Sequence, residues 1–297
     1  MGELMRFEKL ELAEEPVLCS GHAACPGCID ALSARHVLST LGRDAVAVIP
    51  PSCMAIIAGA QPLSAMRIPV YQPTLEASAA AASGLRRALD ASGRKDTHVV
   101  VLAGDGGTYD IGLQCLSSAA ERNENILYVC FDNEGYMNTG AQKSSSTPRF
   151  ARTGSTPAGK TSRKKNLIEI MAAHDIPYAA TATAGFLPDL VRKVEKTKAL
   201  RGTRLLVLLV PCLDGWGVPE DQGIAVARLA VESGVFPLYE VEDGCRYTLN
   251  APRKTRPVRD YLRAQRRYRN LAQHEVESLQ QEIDSGWARL ERRAQAA

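Results

Sequence analysis

Four short, almost uninterrupted apolar segments alternate with alanine-rich segments, and this alternation constrains the fold more than any other feature of the sequence. The apolar segments are AVAVI at 45–49, THVVVLA at 97–103, ILYVCF at 126–131 and RLLVLLV at 204–210. Such strands are typical of parallel sheets that are buried on both faces. Helical segments such as SAAAASGLRRAL and LPDLVRKVEKTKAL lie between them. The sequence therefore predicts an α/β protein with a doubly wound, mostly parallel sheet.

The bulk composition excludes several classes of protein. The chain has 297 residues, of which 45% are hydrophobic and 23% are charged, with a net charge of +3. These values are ordinary for a globular protein, and the charge is too small to indicate nucleic acid or an anionic membrane as a partner. No apolar run approaches the roughly 20 residues that span a bilayer. Residues 1–15 are too acidic and polar for a signal peptide, so we expect a cytoplasmic protein.

Glycine and acidic residues follow two of the predicted strands. The segments are GDGGTYDIG at 104–112 and FDNEGYMNTG at 131–140. Asp105 and Asn133 are one βαβ unit apart, and ligands of such sheets bind at the carboxyl ends of the strands. Their oxygens are ligands that Mg²⁺ prefers, and Gly104, Gly106 and Gly107 allow the backbone to approach a diphosphate. The alternative is a tight turn with an aspartate at a helix N-terminus.

The cysteines indicate a metal centre rather than disulfides, because thiols stay reduced in the cytoplasm. The CPGC segment at 25–28 places two thiolates a short turn apart. Zinc sites use the same spacing, but they commonly add a second CxxC pair. Here the other candidates stand singly in PPSC and VPCLDGWG. The segments around Cys115 and Cys130 predict buried thiols, and Cys19 and Cys245 are expected to be free.

The C-terminal part differs in charge from the rest. Residues 246–270 contain nine lysines and arginines and one acid, and an amphipathic helix follows, with Val276, Leu279, Ile283, Trp287 and Leu290 on one face. We divide the chain into a cofactor-binding domain, 1–244, and a basic arm with a helix for subunit contact, 245–297. A nucleic-acid arm is the alternative. Tyrosines and leucines between the arginines favour a docked segment. The polar stretch 140–166 is long enough to be functional or disordered.

The whole run GDGGTYDIGLQ…FDNEGYMNTGAQKSSSTP closely resembles the thiamine-diphosphate signature of the 2-oxoacid:ferredoxin oxidoreductases. The resemblance implies the thiamine-diphosphate-binding fold. It also implies that Asp105, Asn133 and the Gly135 carbonyl bind Mg²⁺, and that Asn138 is the catalytic residue beside the thiazolium and the substrate. The implied cofactor-binding residues are Gly104, Asp105, Gly106, Gly107, Asn133, Gly135, Asn138 and Thr139.

The same resemblance assigns four cysteines to an iron–sulfur cluster. The β subunit of this family binds one 4Fe–4S cluster through a CxxC pair, a cysteine after the next strand, and one in a late PC turn. The matching positions here are Cys25, Cys28, Cys53 and Cys212. The chain departs from the family pattern around these ligands, which leaves the substrate open; the departing residues are Ala23, Ile29, Pro51 and Ser52.

The activity that the resemblance implies is oxidative decarboxylation of a 2-oxoacid to acyl-CoA and CO2, with electrons leaving through the cluster to ferredoxin. Pyruvate is the default substrate, and phenylglyoxylate represents a bulkier alternative. The expected partners are an α subunit that supplies the glutamate for the aminopyrimidine, with γ and ferredoxin-like δ subunits. We interpret the chain's own Glu76 as an acid at a helix start. Two other classes stay open: a non-redox decarboxylase subunit and a metal-stabilised, non-catalytic binding subunit.

Overall fold

A computed structural model describes residues 16–251 and 256–296. Within them, eight strands form one sheet. The strands are β1 (Ala45–Val48), β2 (Val70–Tyr71), β3 (His98–Gly104), β4 (Leu127–Asp132), β5 (Tyr178–Thr183), β6 (Arg204–Leu209), β7 (Tyr239–Glu242) and β8 (Arg246–Leu249). The helices are α1 (Ile29–Leu41), α2 (Cys53–Ala58), α3 (Ser78–Ala91), α4 (Leu113–Glu121), α5 (Leu167–Ala172), α6 (Leu187–Ala199), α7 (Leu213–Trp216), α8 (Gly223–Glu232), α9 (Val258–Arg263) and α10 (Gln273–Ala296).

The strand order is β2-β1-β3-β4-β6-β5-β7-β8. The first six strands of that order run parallel, and β7 and β8 add an antiparallel edge. One apolar layer packs α1, α2 and α6 against the sheet, and another packs α3, α4 and α5 against its opposite face. The predicted doubly wound, mostly parallel α/β sheet is therefore confirmed.

The four apolar segments correspond to β1, β3, β4 and β6, each within one residue or so of its predicted ends. The sequence reading did not predict β5, although all six of its residues are buried. The reason is its sequence, YAATAT, in which small side chains replace the large aliphatic ones of the other central strands. Tyr178 and the alanines nevertheless fill the space between sheet and helices on both faces.

The sheet continues past residue 244. Asp243 and Gly244 both have positive φ angles, 47° and 70°, as a tight hairpin turn requires. The chain then returns as β8, in which Arg246 pairs with Glu242 of β7. An Asp-Gly pair is a strong hairpin signal, and the predicted division of the chain falls directly after it. A role of residues 245–297 in subunit contact stays a prediction.

The C-terminal apolar residues pack against the chain itself. Tyr261, Leu262 and Tyr268 are buried in a third apolar cluster with α7 and α8. Trp287 of α10 is buried and donates to the carbonyl of Gly234 at 2.8 Å. The predicted amphipathic helix is therefore present as α10, and these side chains need no partner for their burial. In the described ranges, no helix is long and apolar enough to cross a membrane.

Candidate functional site

The predicted cofactor residues follow strands that are neighbours in the sheet. β1, β3, β4 and β6 are consecutive and parallel, so their carboxyl ends lie along one edge. Gly104 of β3 pairs with Phe131 of β4, and Asp132 of β4 pairs with Leu209 of β6. Residues immediately beyond these ends are therefore brought together, as the Asp105 and Asn133 prediction requires.

Three oxygen atoms face one another at this edge. The Asn133 carboxamide oxygen lies 2.9 Å from Asp105 Oδ1 and 2.7 Å from the Gly135 carbonyl oxygen. With the carboxamide turned over, its nitrogen would donate to both of these oxygens. The Asn133 carboxamide therefore has two arrangements here: its nitrogen donates to both oxygens, or its oxygen joins them as a third ligand around a cation. An octahedral Mg²⁺ with bonds of about 2.0–2.1 Å keeps adjacent ligand oxygens about 2.9 Å apart, so the observed separations fit this ion.

Asp105 is almost completely buried, with 1% of its surface exposed. Its Oδ2 accepts a hydrogen bond of 2.5 Å from the hydroxyl of Ser144, which lies in the long polar loop 140–166. Burial, and then the carboxylate of Asp132, raises the pKa of Asp105 well above its ordinary value. A divalent cation at this point would offset both effects, because its positive charge stabilises the buried carboxylate and counters the charge of Asp132.

A buried ion network, which the sequence reading missed, surrounds the loop between Asn133 and Gly135. Lys164 lies 2.7 Å from Asp132 and 2.8 Å from Glu134, and Arg267 lies 2.6 Å from the other oxygen of Glu134. Burial alone would raise the pKa of Glu134, but the two cations outweigh it and lower this pKa. Lys164 and Arg267 are 30 and 133 positions away from Glu134 in the sequence, so no local sequence pattern predicts these two contacts.

Glu134 has a left-handed backbone with φ at 65°, a conformation that favours glycine. Its carbonyl oxygen accepts a hydrogen bond of 2.7 Å from Thr147. The left-handed turn lies between Asn133 and Gly135, and the Asn133 carboxamide contacts both Asp105 and the Gly135 carbonyl oxygen. The ion network therefore holds the one unusual backbone conformation on which the three-oxygen arrangement depends.

Trp216 connects this loop to the C-terminal segment. Its indole nitrogen donates to the Asn133 carbonyl oxygen at 2.8 Å. The guanidinium of Arg267 lies 3.6 Å from the centre of the indole ring. Trp216 ends α7, and α7 follows Cys212 directly. The turn that carries a predicted cluster cysteine is thus in contact with the predicted magnesium loop.

Met137 fills the space between the same two turns. A β-carbon added to Gly135 would lie 2.8 Å from the Met137 methyl, and one added to Gly215 would lie 2.3 Å from its sulfur. Gly135 is required on backbone grounds as well, because its added β-carbon would lie 2.8 Å from the Gln142 carbonyl oxygen, whereas at Gly215 only flexible side-chain atoms are in the way. Gly106 is in a similar position, because its added β-carbon would lie 2.3 Å from the ring of Tyr136.

The remaining predicted cofactor residues lie around this edge. Gly104 ends β3, and Gly107 is buried in a π-helical turn over Gly106–Ile111. Asn138 and Thr139 are exposed at the tip of the following loop, where the Thr139 hydroxyl donates to Gln142 at 2.7 Å. These positions agree with an open cofactor pocket, while their roles stay predictions.

Three of the four predicted cluster cysteines lie where helices begin. Cys28 caps α1, Cys53 is the first residue of α2, and Cys212 caps α7. The Cys212 sulfur accepts a hydrogen bond from the Gly215 N–H at 3.4 Å. Free N–H groups at these positions stabilise a thiolate. Cys25 is exposed in the CPGC turn, where Gly27 has a φ of 68° and leaves no space for a β-carbon.

The four thiols are near one another. Burial, then Asp30, and then the other three cysteines raise the pKa of Cys53 to about 12. Burial also raises the pKa of Cys28 to about 11 and that of Cys212 above its ordinary value. Within residues 16–251 and 256–296, no group of His, Cys, Asp or Glu is arranged to hold a metal ion. The structure therefore shows that the four thiols are near one another, but it does not show them arranged around a metal ion.

The other cysteines lie outside this group. Cys130 is completely buried in β4, and Cys115 is half-buried in α4. Cys245 is exposed in the β7–β8 turn, and the Cys19 thiol makes a long contact of 3.9 Å with the Pro16 carbonyl oxygen.

Comparison with known proteins places the chain in a family. The pattern described as "Thiamine pyrophosphate enzyme, C-terminal TPP binding domain" matches residues 53–208. The chain is 45% identical over 281 residues to the pyruvate synthase subunit PorB of Methanothermobacter thermautotrophicus, covering 93% of this chain and 98% of that one. It is 42% identical over 300 residues to the ketoisovalerate oxidoreductase subunit VorB of Pyrococcus abyssi, covering 97% and 96%. A solved 2-oxoglutarate:ferredoxin oxidoreductase of Magnetococcus marinus shares the fold, with a TM-score of 0.59 and 20% identity over 90% of this chain and 94% of that one.

The fold and this strand-end site define a thiamine-diphosphate-binding enzyme subunit. Within that class, the chain belongs to the 2-oxoacid:ferredoxin oxidoreductase family, as its thiamine-diphosphate-binding β subunit. It is one subunit of a multi-subunit oxidoreductase. These matches confirm the family that was predicted from the GDGG and NTG segments.

Proposed function

We propose that the chain, with its partner subunits, oxidatively decarboxylates pyruvate to acetyl-CoA and CO2 and passes the electrons to ferredoxin. The observation that carries this proposal is the meeting of Asp105, Asn133 and Gly135 beyond the ends of β3 and β4. A group of four thiols lies beside them, with Cys53 and Cys212 following the neighbouring strands β1 and β6. The names of the two relatives, pyruvate synthase and ketoisovalerate oxidoreductase, support the reaction type.

Mg²⁺ and thiamine diphosphate would be held at the carboxyl ends of β3 and β4. When bound, thiamine diphosphate supplies the carbanion that attacks the 2-oxoacid ketone and the electron sink for loss of CO2. Asp105 and Asn133 would bind the metal through side-chain oxygens, and Gly135 through its carbonyl. The exposed Asn138 would contact the substrate from the loop that follows.

A 4Fe–4S cluster would take the place of the protons on Cys25, Cys28, Cys53 and Cys212. Four thiolates are the ligand set of such a cluster, and burial of three of the thiols makes charged sulfur unfavourable without a metal centre. Met137 would separate the cluster turn from the magnesium loop. A short separation suits a relay that removes one electron at a time.

The site needs a partner subunit. Thiamine enzymes protonate the aminopyrimidine with a glutamate, and Glu76 is poorly suited to this role. Hydrogen bonds from its own backbone and from Thr74 lower its pKa, whereas a proton donor needs a raised one. The α subunit would supply the glutamate, and γ and ferredoxin-like δ subunits would complete the complex, with coenzyme A as the acyl acceptor.

Phenylglyoxylate and other bulky 2-oxoacids remain competing substrates because of the departures before Cys53. Pro51 is exposed, and the Ser52 side chain is 3.6 Å from the position of a β-carbon on Gly104. This turn therefore borders the predicted cofactor pocket. Initial rates of the reconstituted complex with pyruvate, 2-oxoisovalerate, 2-oxoglutarate and phenylglyoxylate decide among them.

The proposal is tested on the complex purified without oxygen. We expect stoichiometric thiamine diphosphate and Mg²⁺, four irons per chain, and a broad absorption near about 400 nm that bleaches on adding pyruvate and coenzyme A. Iron without thiamine diphosphate would instead support a metal-stabilised binding subunit. Thiamine diphosphate without iron would support a non-redox decarboxylase.

A further inference from the structure

An open groove of 830 Å³ lies between α8, α9 and the start of α10. Apolar residues form a large part of its lining: Val226, Leu229, Leu262, Leu271 and Val276. Among the residues that the structure describes, no aspartate or glutamate lines it, but four arginines do: Arg259, Arg263, Arg266 and Arg269. We call this surface the arginine groove.

Three of these arginines are exposed and have no carboxylate partner within the described part of the chain: Arg263, Arg266 and Arg269. Three other exposed arginines are each paired with a carboxylate. Arg87 lies 3.2 Å from Glu124, Arg94 lies 3.7 Å from Asp44, and Arg201 lies 2.8 Å from Asp96. The arginine groove therefore combines a concave apolar surface with three cations that, within the described residues, have no carboxylate partner.

The groove lies beside the proposed cluster. Gly217 lines it, and a β-carbon on Gly217 would lie 2.6 Å from the side chain of Arg266. Gly217 follows directly after α7, whose four residues begin after Cys212. At about 1.5 Å per helical residue, α7 is only about 6 Å long. A protein in the groove would therefore lie one short helix away from a cluster ligand.

We propose that the arginine groove docks an acidic protein surface, and that this protein is the electron acceptor of the proposed reaction. The inference rests on the proposed function for the acceptor's role, while the docking itself rests on the groove. Unpaired guanidinium groups around an apolar floor match carboxylates around an apolar patch. A nucleic acid would use the cations but not the apolar floor, and the net charge of the chain is only +3.

The test uses the full chain and an acidic ferredoxin as the probe, with affinity measured by calorimetry at 20 and 200 mM NaCl. The variant Arg263→Gln/Arg266→Gln/Arg269→Gln is compared with the matched control Arg87→Gln/Arg94→Gln/Arg201→Gln, which removes the same charge. We expect the groove variant to weaken binding about tenfold at low salt and to reduce its salt dependence, and the control to change it less than about threefold.

Equal weakening by both variants would show that only the overall field attracts the probe and would overturn the proposal. So would the absence of binding by the wild-type chain at 20 mM NaCl. Tighter binding of a DNA duplex, lost in the groove variant, would assign the surface to nucleic acid. The thiamine diphosphate and iron contents of the wild-type protein and of both variants are measured as well, and they do not depend on the groove. A failed proposed function is therefore distinguishable from a failed docking site.

Discussion

Replacing Arg267 with methionine is expected to weaken Mg²⁺-dependent thiamine diphosphate binding, although Arg267 contacts neither ligand. The guanidinium and the Glu134 carboxylate have side chains only 2% exposed and lie 2.6 Å apart. Removing one partner of such a pair costs about 3–5 kcal/mol, because the other charge stays buried. Lys164 compensates part of this loss, but it also pairs with Asp132. A remaining cost of about 1.4 kcal/mol on the loop conformation corresponds to a tenfold weaker cofactor site.

The assay is calorimetric titration of the complex with thiamine diphosphate at 0.1 and 10 mM Mg²⁺. We expect Arg267→Met to raise the Kd at least about tenfold at low Mg²⁺, and excess Mg²⁺ to recover part of the affinity, because the metal itself organises the loop. Arg267→Lys should show a smaller effect. The exposed Arg269→Met is the matched control. A lower Tm with unchanged Kd at both Mg²⁺ concentrations would refute a positioning role.

Three further outcomes are expected. Asp105→Asn should abolish thiamine diphosphate binding in calorimetry yet raise the Tm of the cofactor-free chain, because it removes a buried carboxylate beside Asp132; a lower cofactor-free Tm would contradict this reasoning. Serine at Cys25, Cys28, Cys53 or Cys212 should lower the iron content of the anaerobic complex, while serine at Cys19 or Cys245 should not, and loss of iron with Cys245→Ser alone would refute the assignment. Burial would raise the pKa of Glu240, but hydrogen bonds from three neighbours lower it to about 2. The Tm deficit of Glu240→Gln should therefore be full near pH 7 and shrink as the pH falls below 4.5 toward 2; a deficit independent of pH would exclude the ionised carboxylate as its source.

The sequence alone determined the central strands and the place of the cofactor site. Strands that are buried on both faces are near-continuous aliphatic runs in the sequence, and four such runs predicted β1, β3, β4 and β6. Parallel strands that are neighbours bring their carboxyl ends together, so the spacing of Asp105 and Asn133 was enough to predict their meeting. The family followed from the longer motif, in which residue order and spacing are both specific.

Only the tertiary structure decided what holds the site and where the C-terminal segment packs. Ion pairs such as Arg267–Glu134 join residues 133 positions apart and leave no periodic pattern in the sequence. Nor do buried tyrosines and leucines between arginines reveal whether they pack on their own chain or on a partner, since the burial of apolar surface is non-directional. The fold buried those apolar side chains internally and left three arginines around a groove with no carboxylate partner among the described residues. Which side chains were buried and which were exposed depended on the surfaces that the sheet and its helices already covered.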